Sequence, residues 1–106
     1  MSSWVLVERE MILIVISSSP VIDNLYEQGI ETALNLADAE IEVSVLIEGE
    51  FLNCVEANPQ CTGAKKLGQC KLYEVSVYSQ SKVDLPFVKA IDTACLQQQA
   101  SKIVVF

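Results

Sequence analysis

Met11-Ile-Leu-Ile-Val-Ile-Ser17 is an unbroken, largely β-branched run, closed by Ser18, Ser19 and Pro20. A strand with one wet face alternates apolar and polar residues, whereas a strand apolar at every position must be covered on both faces. This run therefore predicts a central strand of a parallel sheet. Beyond it Ile22, Leu25, Tyr26, Gly29, Ile30, Ala33, Leu34 and Ala37 recur at three- and four-residue steps, with Asp23, Glu27, Glu31 and Asn35 on the other side. That spacing is an amphipathic helix.

The pattern repeats outward. Ile41 to Ile47 predicts a second strand, ending at Glu48-Gly49-Glu50. Phe51 to Ala57 predicts a short helix stopped by Asn58-Pro59, and Thr62 to Gly68 another with Gly68 as its end signal. Leu72 to Tyr78 reads as a third strand and Phe87 to Ile91, entered through Leu85-Pro86, as a fourth. Asp92 or Thr93 then caps a helix running through Ala94, Leu96 and Gln99, and Lys102 to Phe106 closes the chain as a fifth strand. Strands separated by helical patterns build right-handed βαβ units. The expected fold is a three-layer α/β/α domain with a mostly parallel five-stranded sheet, spanning residues 11–106. Residues 1–10 fit it poorly: either Val5 to Val7 adds an edge strand, or Met11 is the natural start and the decapeptide is an extension.

Composition bounds the function. The chain has 106 residues, enough for one core, and 51% are apolar, so a small domain with this few charges is expected to finish its burial in an oligomer. A net charge of −7 repels phosphate backbones and anionic membranes, which argues against direct nucleic-acid binding. The absence of histidine excludes Ser/His/Asp and Cys/His triads and imidazole zinc sites. No apolar run approaches the ~18 residues of a membrane span, and the N-terminal charges follow the apolar stretch Trp4 to Val7, the reverse of a secretory signal. The expected compartment is cytoplasmic. In that compartment the four cysteines suggest free thiols, relay chemistry or metal binding before a disulfide framework.

Ligands of open α/β sheets gather outside the carboxyl ends of the strands. Three segments should meet there: Ser17-Ser18-Ser19-Pro20, Glu48-Gly49-Glu50 and Ser79-Gln80-Ser81. The serine run lacks the glycines of a dinucleotide site and the Gly-Lys-Ser/Thr of a P-loop, so no cofactor is implied, and hydroxyl capping is its plain structural role. Glu48 and Glu50 flank a turn glycine and read as solvated. The cysteines are Cys54, Cys61, Cys70 and Cys95, and their spacing matches neither C-x-x-C nor paired zinc knuckles. Cys95 is expected on the buried face of the last helix. Cys70 is expected at the amino end of the sheet. Cys54 is expected near a helix start, where the dipole could lower a thiol pKa.

In order and spacing, these features resemble the DsrE/DsrF-like family, most of all its DsrF/TusC branch. Ser18-Ser19-Pro20 follows the opening strand, and Tyr26-Glu27-Gln28-Gly29-Ile30-Glu31-Thr32-Ala33-Leu34 is similar to that family's Arg-Glu-Gly-Leu-Asp-Ala-Leu helix. Glu48-Gly49-Glu50-Phe51 stands where the family has an Asp-Gly-Val-like turn, Lys65-Lys66-Leu67-Gly68 precedes a strand ending in Tyr78-Ser79-Gln80-Ser81, and Ile103-Val104-Val105-Phe106 ends the chain. The resemblance covers nearly everything from Met11 onward and implies a flavodoxin/Rossmann-like domain of the DsrE type.

It also implies partners. Relatives assemble as heterohexamers with DsrE/TusD-type and DsrH/TusB-type subunits and pass persulfide sulfur toward tRNA thiolation or sulfur oxidation. Matching the acceptor motif places Ser76 at the family's cysteine position, with Val75 and Val77 beside it. The resemblance thus implies a non-catalytic subunit. The alternatives are a self-assembled persulfide carrier using Cys54 or Cys61 with the nearby cysteine as resolving partner, and a small anion- or metabolite-binding module using the serine crevice. The chain departs from the family in the loop from Asn53 to Gly63, which is short and holds two cysteines that the resemblance does not explain.

Overall fold

The computed structural model describes residues 11–20, 22 and 24–106; the question of an edge strand or extension at residues 1–10 lies outside them. Five strands form one parallel sheet: β1 (Met11–Ile16), β2 (Glu42–Ile47), β3 (Ser76–Ser79), β4 (Val88–Ala90) and β5 (Lys102–Val105), in the spatial order β4-β3-β2-β1-β5. The helices are α1 (Leu25–Asp38), α2 (Gly49–Ala57), α3 (Thr62–Leu67), α4 (Gln69–Leu72) and α5 (Thr93–Gln99). The α/β/α expectation holds, with β1 central between β2 and β5 as its continuous apolar run requires.

Crossover handedness explains where each helix lies. The chain steps outward from β1 to β4 and then returns to the far side of β1, so right-handed connections put the outward helices on one face and the return helix on the other. The period-two alternation of the strands confirms the division. Ile14, Ile16, Val45, Ile47 and Val77 pack with Tyr26, Ile30, Phe51, Val55, Leu67 and Cys70 from α1 to α4. Met11, Leu13, Val15 and Leu46 face the other way and pack with Leu96 of α5. Gly29 allows α1 to approach the sheet closely: a Cβ there would lie 3.1 Å from both Ile16 and Phe106 side-chain carbons.

Three sequence expectations need correcting or refining. The third strand begins at Ser76, since Leu72 ends α4 and is 81% exposed, and Glu74 takes a left-handed φ of 59° that breaks the extended run. Leu72 and Tyr73 look strand-forming, but the chain turns there because the Val75 N–H donates to the Cys70 carbonyl (2.9 Å). Gly68 caps α3 as expected, but at a right-handed φ of −60° rather than a left-handed one, so a further short helix, α4, follows it directly. Finally, α1 starts at Leu25, leaving Ile22 81% exposed. Among the described residues no helix is long and apolar enough to cross a membrane.

Candidate functional site

The three segments expected at the carboxyl ends of the strands do occupy that end of the sheet. The Glu48 N–H donates to the Ile16 carbonyl (3.0 Å), tying the second strand's exit to the first. Gly49 holds φ +58°, and a Cβ on it would stand 3.1 Å from the Ser17 carbonyl oxygen. The first serine loop is occupied by chain-terminal contacts: the Ser17 and Ser18 N–H groups donate to the Phe106 carbonyl at 2.9 and 3.2 Å, and the Ser17 hydroxyl donates to the same oxygen at 3.4 Å. Ser18 Oγ is buried with no hydrogen-bond partner among the described residues. Ser79 ends β3 fully buried and its hydroxyl donates to the Ser81 carbonyl, while Ser81 Oγ donates to Glu56 Oε2 at 3.3 Å and Gln80 is exposed. These bonds tie the loops to the C-terminal residue, to α2 and to the strand ends.

A hollow of about 180 Å³ near this end is lined by Pro20, Tyr26, Cys54, Cys61, Thr62 and Gly63, and not by the serines. Cys54 lies in the second half of α2, one turn or more beyond the helix start, so the dipole expected to lower its pKa does not reach it. Burial, and then the neighbouring Cys61 sulfur, push the Cys54 thiol above its ordinary range. Cys61 is the N-cap of α3, and its Sγ accepts the Ala64 N–H at 3.4 Å. The two thiols were expected to lie near enough for one to resolve the other, although their spacing matches no redox motif. The signal available was the Asn58-Pro59 break, which turns α2 back on α3.

Charge enters at the rim. The Tyr26 hydroxyl donates to Glu27 Oε1 at 3.3 Å, and Lys66 Nζ pairs with the same oxygen at 2.7 Å. The Lys66 ammonium holds the Glu27 carboxyl below the usual carboxylate range, and Glu27 in turn raises Lys66. Burial, followed by the Glu27 charge, raises the Tyr26 phenol.

The other thiols stand apart. Cys70, on α4, is fully buried against the sheet-side core, and loss of solvation pushes it up to about 11. Cys95, expected in the core, is exposed, because seven-residue α5 buries only Leu96; its sulfur accepts from Gln99 Nε2 at 3.8 Å. Among the described residues no group of three or more His, Cys, Asp or Glu is placed to hold a metal ion.

Ser76 occupies a different place from the crevice. It is the first residue of β3, half-buried and in register with Ser44, at the amino end of the sheet. There it helps line a cavity of about 400 Å³ with Glu42, Ser44, Tyr73, Glu74, Tyr78 and Gln99.

No protein-family model matches the chain, and no curated protein matches it in sequence. In structure it is similar to the YchN protein from E. coli, with a TM-score of 0.70 over 92% of this chain and 99% of that one, at 14% sequence identity. At that identity the likeness speaks for architecture alone, a five-stranded parallel sheet flanked by helices.

Proposed function

We propose that this chain is a non-catalytic subunit of a sulfur-relay assembly, supporting persulfide transfer for tRNA 2-thiouridine formation or for sulfur oxidation. Its partners are a DsrE/TusD-type subunit that supplies the acceptor thiol and a DsrH/TusB-type subunit. The observation carrying this reading is the chemistry of β3, which presents Ser76, Tyr78 and Ser79 and no sulfur. Persulfide transfer needs a thiolate that attacks and then holds sulfane sulfur. A serine hydroxyl stays protonated near neutral pH and cannot hold it. The resemblance to the DsrE/DsrF-like family supports the sulfur connection.

Exposed apolar surface supports a role in assembly. The β5 edge of the sheet shows Ile103 at 44% and Val105 at 63%, and Leu72 and Tyr73 stand out beside β3. A mixed hexamer or a homo-oligomer would cover such surface.

The self-assembled carrier reading draws on the Cys54–Cys61 pair. A persulfide formed on either sulfur would face a second thiol able to expel hydrosulfide, so the pair is a poor store. The anion-binding reading draws on the serine loops, and in the first of them the Ser17 and Ser18 N–H groups already donate to the Phe106 carbonyl. Co-expression with tagged DsrE-type and DsrH-type subunits tests the proposal. This chain is expected to co-purify with them in equal amount, and Ser76→Ala should leave sulfur loading of the DsrE-type partner unchanged. A stable added sulfur on Cys54 or Cys61 of the isolated chain, after incubation with a persulfide donor, would overturn it.

A further inference from the structure

We propose that Cys54 and Cys61 form a dithiol site that reacts with small-molecule disulfides, cycling between two thiols and an intramolecular disulfide. The proposal rests on geometry that the sulfur-relay reading does not use. Cys54 from the second half of α2 and Cys61 from the N-cap of α3 line one open hollow with Pro20, Tyr26, Thr62 and Gly63, and the two side chains interact there. Their backbones are joined through one residue: the Asn58 N–H donates to the Cys54 carbonyl and the Cys61 N–H donates to the Asn58 carbonyl, both at 3.0 Å. Asn58 Oδ1 also accepts the Gln60 N–H at 3.1 Å, and Pro59 stiffens the turn between them. The turn therefore holds the cysteines near each other before any bond forms, which lowers the entropy lost on closure.

The two sulfurs are not equivalent, and the difference orders the steps. Cys61 Sγ already receives the Ala64 N–H, a donor that stays in place as charge develops on that sulfur. Among the described residues no backbone N–H donates to Cys54 Sγ, and burial followed by the Cys61 sulfur raises its thiol above the ordinary range. Cys61 is thus the attacking sulfur. As thiolate it attacks one sulfur of R–S–S–R, giving Cys61–S–S–R and releasing R–S⁻, which takes up the proton lost by Cys61. Cys54 then gives up its proton and attacks Cys61 Sγ, and the second R–S⁻ leaves with that proton. Two protein thiols and one disulfide become one protein disulfide and two R–SH; the two electrons lost by the protein reduce the small disulfide. Cys70 is too deeply buried to take part, and Cys95 lies on the α5 helix of the opposite face.

The test uses the full chain with oxidised glutathione as probe, followed by intact mass and peptide mapping. Wild type should yield a Cys54–Cys61 linkage with no lasting adduct at either position. Cys54→Ser should halt with glutathione held on Cys61. Cys61→Ser keeps a hydroxyl that can cap Ala64, so α3 should survive, and modification of Cys54 should be at least about tenfold slower than that of Cys61 in Cys54→Ser. A circular dichroism spectrum of Cys61→Ser checks the fold; were that variant to unfold, the Cys54→Ser arm still decides. Reaction confined to Cys95, a linkage involving Cys70, or no internal linkage in excess oxidant would each overturn the proposal.

Discussion

On one face of the sheet Ile14, Ile16, Val45, Ile47 and Val77 lie beneath four helices, while on the other Leu13, Val15 and Leu46 lie beneath a seven-residue helix that buries only Leu96. The same strands supply both sets, so the difference comes from the connections. Three of the four crossovers travel outward and, being right-handed, deposit their residues on one side; a single return path serves the other. Stability should therefore be concentrated on the α1–α4 face. The α5 face carries less of it, and the neighbouring β5 edge leaves Ile103 and Val105 exposed.

Paired truncations probe that asymmetry most strongly. Phe51 is fully buried and stacks on Tyr26 with ring centroids 5.5 Å apart, so Phe51→Ala should cost about 3–5 kcal/mol. Leu96→Ala should cost nearer 2 kcal/mol, because the thin α5 layer can settle into the space. Urea denaturation measures both, and equal losses would break the picture of an unequal pair of faces.

The thiols offer a second contrast of about 2 kcal/mol. Cys70, sealed on the α1–α4 face, has its pKa raised from 9.0 to about 11 by burial. A raised folded-state pKa means that this contribution is complete below about pH 9 and is lost as the pH climbs through 11, on the order of 2 kcal/mol in all. Stability measured from pH 8 to 11 should fall in wild type and in Cys95→Ala, and fall distinctly less in Cys70→Ala. An unchanged slope in Cys70→Ala would show that water reaches beneath α4.

Gly49 tests the join between the strand tips. At φ +58° any side chain is strained, and a Cβ would press on the Ser17 carbonyl at 3.1 Å, so Gly49→Ala should cost about 1–2 kcal/mol. A thermal melt no lower than wild type would mean that the turn can take another conformation.

How much of this was legible follows from the range of the interactions involved. The Met11–Ile16 run announced a doubly covered central strand because its signal lies in consecutive residues, and α1 announced itself through its Tyr26, Ile30 and Ala33 stripe. Short elements defeated local reading. Leu72 and Tyr73 have strand-like side chains, yet one backbone bond to Cys70 and a left-handed Glu74 turn them away from the sheet. Cys95 has apolar neighbours in sequence, but a two-turn helix buries one residue and cannot bury its flank. The three loops at the strand tips could be placed from topology alone. Their hydrogen bonds to Phe106, Ile16 and Glu56, and the geometry in which Cys54 meets Cys61 across the turn from α2 into α3, are set by tertiary packing that no periodicity encodes.

The smallest expected effect concerns the Glu27–Lys66 pair, which links α1 to α3 at the rim of the thiol hollow. Glu27 is held below the ordinary carboxylate range chiefly by its hydrogen bond from Lys66, so the pair's contribution is present above that range and is lost as the pH falls through the folded-state value. Lys66→Gln should therefore melt slightly lower than wild type at neutral pH and together with it in strong acid, with the neutral-pH gap closing at high salt because both groups are solvent-exposed. A gap constant across pH would assign the effect to packing of the Lys66 stem. The α1–α3 contact would then be apolar to its edge, and the helical face would owe nothing to charge.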